Sequence, residues 1–153
     1  MVSIPNYKHI ITYWTEKGDL EDEFIDQFIC YWIALNAWYG SNLLQGERAP
    51  KEWEYMIALT ERLEVMNLDW SIYLSDAQNL DPKLKNVRDN RLNEERGLIT
   101  VTDNLKTLIE FIYTVRNNVF HGNKSDTEER DVAVLIIAVP ILKRVLDVVT
   151  GNG

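Results

Sequence analysis

The sequence predicts an all-α protein, an antiparallel helical bundle of four to five main helices. Apolar residues recur every three or four positions along most of the chain. Strand signals are weak: little period-2 alternation is sustained, no Asn-Gly or Asp-Gly turn separates apolar runs, and no internal repeat is found. Two long helical segments near the C-terminus are joined by so few residues that they must turn back and pack antiparallel.

The 153 residues suit one domain, 1–153, and can bury a helical core of ordinary size. The net charge of −8 comes from the N-terminal half, where acids far outnumber bases. Such a chain does not attract polyanions unspecifically, which argues against a DNA-binding module and leaves any nucleic-acid contact to local basic residues. Cys30 is the lone cysteine, so neither an internal disulfide nor a redox or zinc-type cysteine pair can form, and a reducing, cytoplasmic location is expected. The N-terminus lacks the pattern of a signal peptide. The apolar run from Val132 to Leu142 is too short to span a bilayer, so no membrane association is expected.

His9, near Tyr7 and Trp14, precedes the first predicted helix and reads as a surface or packing histidine. The first long helix is predicted to start with Asp19 as N-cap, favoured by Glu21, Asp22 and Glu23 in its first turn, and to reach about Leu44. Phe24, Phe28, Trp32, Leu35 and Tyr39 form its stripe, widened by Ile25, Ile29, Ile33 and Trp38. Cys30 reads as a small buried hydrophobe. Asn36 beside the stripe reads as a core asparagine bonded to backbone, with a place in a polar cleft as the alternative. The acids at 21, 22, 23 and 26 read as a solvated face, since no Glu-x-x-His pair accompanies them.

Pro50 is expected in the first turn of a second helix carrying Trp53, Ile57 and Leu63, with Met56 and Leu59 beside them, and fading near Asn67. Residues 68–102 read as short helices and loops in which Trp70, Ile72, Tyr73 and Leu74 are partly buried. Lys83, Lys85, Arg88, Arg91 and Arg96 there read as a solvated charged surface. Thr102 or Asp103 is expected to cap a third helix with the stripe Leu105, Leu108, Ile109, Ile112 and Val119. Gly122 is a natural terminator, and Ser125 with Glu128 a capping box for the last helix. That helix is apolar almost all round, so it lies at the bundle centre or covers a partner subunit; Pro140 is expected to bend it.

At about 100° per residue, Arg116 falls inside the stripe of the third helix, whereas Asn117 and His121 fall on its polar flank near Glu110 and Thr114. A guanidinium on a core-facing stripe needs an acidic partner, a route to solvent, or a polar cleft. One reading pairs Arg116 with a carboxylate of the acidic first helix and has His121 cap the helix end. The other is a phosphate site: Arg116 holds a phosphoryl group, His121 moves a proton, and Asn117 orients the histidine or the substrate. Arg116 and His121 lie about 140° apart on a straight helix, so for them to meet the helix must end or loosen at Phe120, or a substrate must span both. Most Trp and Tyr residues have core spacing; Trp38 and Tyr39 are the candidates for base stacking.

The stretch R-N-N-V-F-H-G, residues 116–122, resembles the R-x4-H signature of HEPN domains. In that family the signature lies toward the end of a late helix in an all-α bundle, with a final helix after it. The segment F-I-C-Y-W-I-A-L-N-A-W-Y, Phe28 to Tyr39, is similar to the aromatic-rich first helix of small prokaryotic members. The resemblance implies a homodimeric, metal-independent endoribonuclease, without cofactor, of the kind found in toxin-antitoxin or anti-phage systems, with the two motifs meeting across the dimer interface. It implies RNA as substrate and a nucleotidyltransferase-like protein as possible antitoxin. Arg116, Asn117 and His121 would be catalytic, and Lys124 and Asn118 would contact substrate. The alternative within the family is a non-catalytic nucleotide-binding or protein-assembly module.

Overall fold

The computed structural model describes residues 7–43, 50–80, 86–88, 98–120 and 129–151. These form an all-α bundle: α1 (Tyr7–Leu20), α2 (Phe24–Asn42), α3 (Glu52–Val65), α4 (Ser71–Gln78), α5 (Leu105–Phe120) and α6 (Glu129–Thr150). A two-stranded antiparallel ladder, β1 (Asn86–Arg88) and β2 (Leu98–Thr100), pairs Val87 with Ile99. Three-residue strands are too short for alternation to be visible in a sequence.

The N-terminal region departs from expectation. Asp19 is not an N-cap; it lies in the last turn of α1, a helix whose periodicity the sequence reading did not register. Helix α2 starts at Phe24 after Glu23, and the chain turns between the two helices with Glu21 N–H donating to the Gly18 carbonyl. Gly18 is what lets the helices close: a Cβ there would meet Tyr31 Cε1 at 2.6 Å. Asp19 instead accepts hydrogen bonds from the Tyr31 hydroxyl at 2.5 Å and Lys143 Nζ at 3.1 Å, tying α1 to α2 and α6.

On α2 the predicted stripe holds, with Phe28, Trp32, Leu35 and Tyr39 buried. Trp38 is buried too, and Phe24 at the helix start is exposed. Asn36 is exposed, so it is not a core asparagine. Cys30 is buried, and burial pushes its thiol pKa up. His9 is exposed.

Helix α3 begins two residues after Pro50, where Lys51 N–H donates to Glu54 Oε1 at 3.1 Å. It stops where expected: Asn67 adopts φ 51°, the left-handed region that asparagine tolerates at a helix end. Met56, Leu59 and Leu63 are buried, but Trp53 and Ile57 are not part of the core. Just before α4 Trp70 is buried; on the helix Tyr73 and Leu74 are half-buried, whereas Ile72 is exposed.

Asn104, rather than Thr102 or Asp103, caps α5, its Oδ1 accepting from Lys106 N–H at 2.9 Å. Thr102 Oγ1 supports that turn from Asn104 N–H, and Asp103 accepts from Gln78 Nε2. Helix α6 packs against α2, α4 and α5, and nine of its side chains from Val134 to Val148 are buried. Most of its apolar circumference is covered inside this chain, with Ile136 exposed and Ile137 and Val149 half-buried. Pro140 lies on the solvent side of the helix, where the lost backbone bond is least costly. Gly122 and the Ser125–Glu128 box lie outside the described residues, as do the side chains of the 83–96 basic segment. One continuous core joins α2, α3, α5 and α6, each large buried side chain contributing about 1.5–3 kcal/mol.

Candidate functional site

The C-terminal half of α5 is enclosed more completely than its stripe suggests. Thr114, Val115, Asn117, Asn118 and Val119 are all buried. Asn117 is 2% exposed and Asn118 1%, whereas the Arg116 side chain retains 23%. This inverts the angular reading, in which Arg116 belongs to the core face and Asn117 to a polar flank. Contacts with α2, α3 and α6 cover both flanks of the stripe, and the long arginine reaches past them toward solvent. Asn118, expected to touch substrate, is held inside the bundle and presents no surface to a ligand in this chain.

The guanidinium of Arg116 lies against two aromatic rings, its Cζ 5.7 Å from the centroid of Trp32 and 5.0 Å from that of Phe120. Nη1 donates to Asn117 Oδ1 at 2.9 Å, a bond that holds the fork in place. Nη2 is 3.9 Å from Glu52 Oε1, a distance of charge attraction rather than hydrogen bonding. Nε is buried without a hydrogen-bond partner among the described residues. Nε is therefore a desolvated donor, as is Trp70 Nε1 in the core, and the exposure that the Arg116 side chain retains lies elsewhere on it.

The acidic partner belongs to the first turn of α3, not to the acidic stretch at the start of α2. Glu52 is itself fixed by Tyr39, whose hydroxyl donates to the same Oε1 at 2.5 Å. Burial, and then the Glu52 carboxylate, hold the Tyr39 phenol pKa well above its usual value; Arg116 opposes them weakly. Tyr55 stacks obliquely on Tyr39 with centroids 4.4 Å apart, completing an aromatic wall behind the carboxylate. Tyr39 is thus core and partner to Glu52, and neither it nor Trp38 is available to stack on a base.

Glu52 and Tyr39 are the site residues that sequence reading missed. The available signal was the position of Glu52 at a helix start just after Pro50, which marks it as ordered but does not point it toward Arg116. His121 and Lys124 lie outside the described residues, which reach Phe120 at the end of α5. Among the described residues, no group of three or more His, Cys, Asp or Glu side chains is placed to hold a metal ion. No described helix is long and apolar enough to cross a membrane.

Comparison with protein-family models, with curated proteins and with solved structures found no match to this chain.

Proposed function

We propose that this chain is a HEPN-like, metal-independent endoribonuclease that works as a cytoplasmic homodimer, with a nucleotidyltransferase-like protein as candidate antitoxin. The observation that carries the reading is Arg116 itself: it opens the R-N-N-V-F-H-G stretch at the end of a late helix in an all-α bundle, and its guanidinium is held in orientation with 23% of the side chain still exposed. In this mechanism His121 takes the proton from a ribose 2′-hydroxyl. The 2′-oxygen attacks the adjacent phosphorus, and the bond from phosphorus to the 5′-oxygen breaks. Arg116 stabilises negative charge building on the phosphoryl oxygens. The departing 5′-oxygen takes a proton from solvent and His121 returns its proton to solvent, so the products are a 2′,3′-cyclic phosphate and a 5′-hydroxyl. Asn117 acts as a positioning residue through its bond to Nη1, and Lys124 supplies a further contact to the RNA backbone. A second subunit would bring another Arg116 and Lys124 to the same cleft, offsetting the acidity of the chain.

One observation favours the alternative, a non-catalytic HEPN-like module that binds a nucleotide or assembles with a protein. Glu52 offsets part of the Arg116 charge, as it would in a site that binds without reacting. The two readings separate in one experiment. RNA is incubated in EDTA with wild type, Arg116→Ala and His121→Ala, and product ends are analysed. Cleavage by wild type alone, leaving cyclic phosphate ends, is expected; equal cleavage by all three proteins ends the catalytic claim. Light scattering is expected to show a dimer at micromolar concentration, and a monomer would remove the composite cleft.

A further inference from the structure

A groove of about 460 Å³ runs between α3 and α5, away from the Arg116 guanidinium. Met56 and Ile109, both buried, form its floor, and Tyr113 stands on the α5 side. The α3 wall is unusual. Trp53 is 53% exposed and Ile57 50%, one turn apart on the same flank of the helix. Both also line a shallower depression of about 240 Å³ on the outer side, so they form an apolar ridge with open space on either side. Together with Tyr113 across the groove they make a contiguous apolar surface, the kind of patch at which partners dock.

The charges around this ridge are mostly acidic. Glu61 and Glu64 border the groove from α3. On α5, Lys106 and Glu110 pair with each other at 3.8 Å and cancel. Among the described residues no ion pair engages Glu61 or Glu64, so the groove carries two uncompensated carboxylates. From Trp53 to Glu64 the wall rises about 16 Å, the length of three helical turns.

We propose that this groove docks a cationic amphipathic helix of a partner protein. The apolar face of that helix would lie on Trp53, Ile57 and Tyr113, with lysines or arginines on its flank meeting Glu61 and Glu64. Charge decides among occupants. A second copy of this chain in two-fold pairing would set the same carboxylates against each other. A nucleic acid would bring its phosphates to the acidic rim. The proposal does not depend on the ribonuclease reading.

The test is fluorescence anisotropy with a labelled 18-residue peptide of leucine and lysine arranged at helical spacing, against the same residues in scrambled order. Saturable binding of the patterned peptide is expected, weakened at least tenfold by Ile57→Arg and by the double change Glu61→Lys, Glu64→Lys. The double change Asp22→Lys, Glu23→Lys, on the α1–α2 turn, should shift affinity less than twofold. Circular dichroism of each variant confirms its fold, and all substituted positions are exposed. Equal binding of the scrambled peptide, equal weakening by the α1–α2 variant, or no saturable binding overturns the proposal. Light scattering in which Ile57→Arg converts a dimer to a monomer also overturns it, since the occupant is then a second copy.

Discussion

Arg116→Ala separates a structural arginine from a functional one by magnitude. Truncation removes the contacts with Trp32 at 5.7 Å and Phe120 at 5.0 Å, each worth about 0.5–1 kcal/mol. The 3.9 Å pair with Glu52, partly exposed at both ends, contributes about 0.5 kcal/mol. Taking the Nη1 donor from buried Asn117 costs about 1 kcal/mol. In the opposite sense, Nε is buried without an acceptor among the described residues, and removing it returns about 1–2 kcal/mol of desolvation. The expected net destabilisation is about 0.5–2.5 kcal/mol, whereas breaking a well-made buried salt bridge costs about 3–5 kcal/mol. Urea titration measures the difference: at an unchanged slope of about 2 kcal/mol per molar, the midpoint should fall by about 0.3–1.2 M. RNA cleavage by the folded variant should be abolished. A loss above about 3 kcal/mol would refute the reasoning, because it would mean that the paired charge holds the bundle together.

Gly18→Ala should destabilise by about 1–3 kcal/mol despite the better helix propensity of alanine, because the new Cβ meets the buried ring of Tyr31, which Asp19 holds in place; thermal melting reads it. Stability should fall as pH rises past about 10: the unfolded tyrosine loses its proton there while folded Tyr39 keeps it, so the folded state binds more protons and its advantage is lost on going alkaline. Melting temperature against pH checks this, and Tyr39→Phe should flatten the alkaline limb, with Tyr31 leaving a residual slope. Glu52→Gln should keep an acceptor for Tyr39 but remove the charge facing Arg116, tightening binding of a ribonucleoside 3′-monophosphate severalfold by calorimetry; unchanged affinity would show that Glu52 does not compete with a phosphate.

The fold class was legible because a helix buried along one side writes its burial at three- and four-residue spacing, and Phe28, Trp32, Leu35 and Tyr39 do so on α2. The end of α3 was legible because asparagine is among the few residues that accept a left-handed turn. What escaped depends on contacts between elements. Helix α1 buries little of its own surface and leans on α2 through Gly18, a residue that reads locally as a helix breaker. Trp53 and Ile57 carry the right spacing on the wrong flank, since periodicity marks an apolar face but does not say whether a neighbour covers it.

The same limit governs the site. Helical angles placed Arg116 and Asn117 correctly relative to each other but could not say how far α5 is enclosed, so exposure was assigned in the reverse order. The partner of Arg116 illustrates why. An arginine on an apolar stripe demands an acid, and charge density alone pointed to the start of α2; the tertiary structure supplies Glu52 instead, at the first turn of α3, because the Tyr39 hydroxyl holds its carboxylate there. That anchoring matters chemically. A carboxylate free to swing would close on the guanidinium and form two short bonds, occupying the edge a phosphate needs. Held by Tyr39, it stops at 3.9 Å, near enough to orient the charge and too far to take up the donors. The aromatic core of α2 therefore reaches Arg116 through a single hydroxyl, which on the proposed reading would set how much of its charge is left for a ligand.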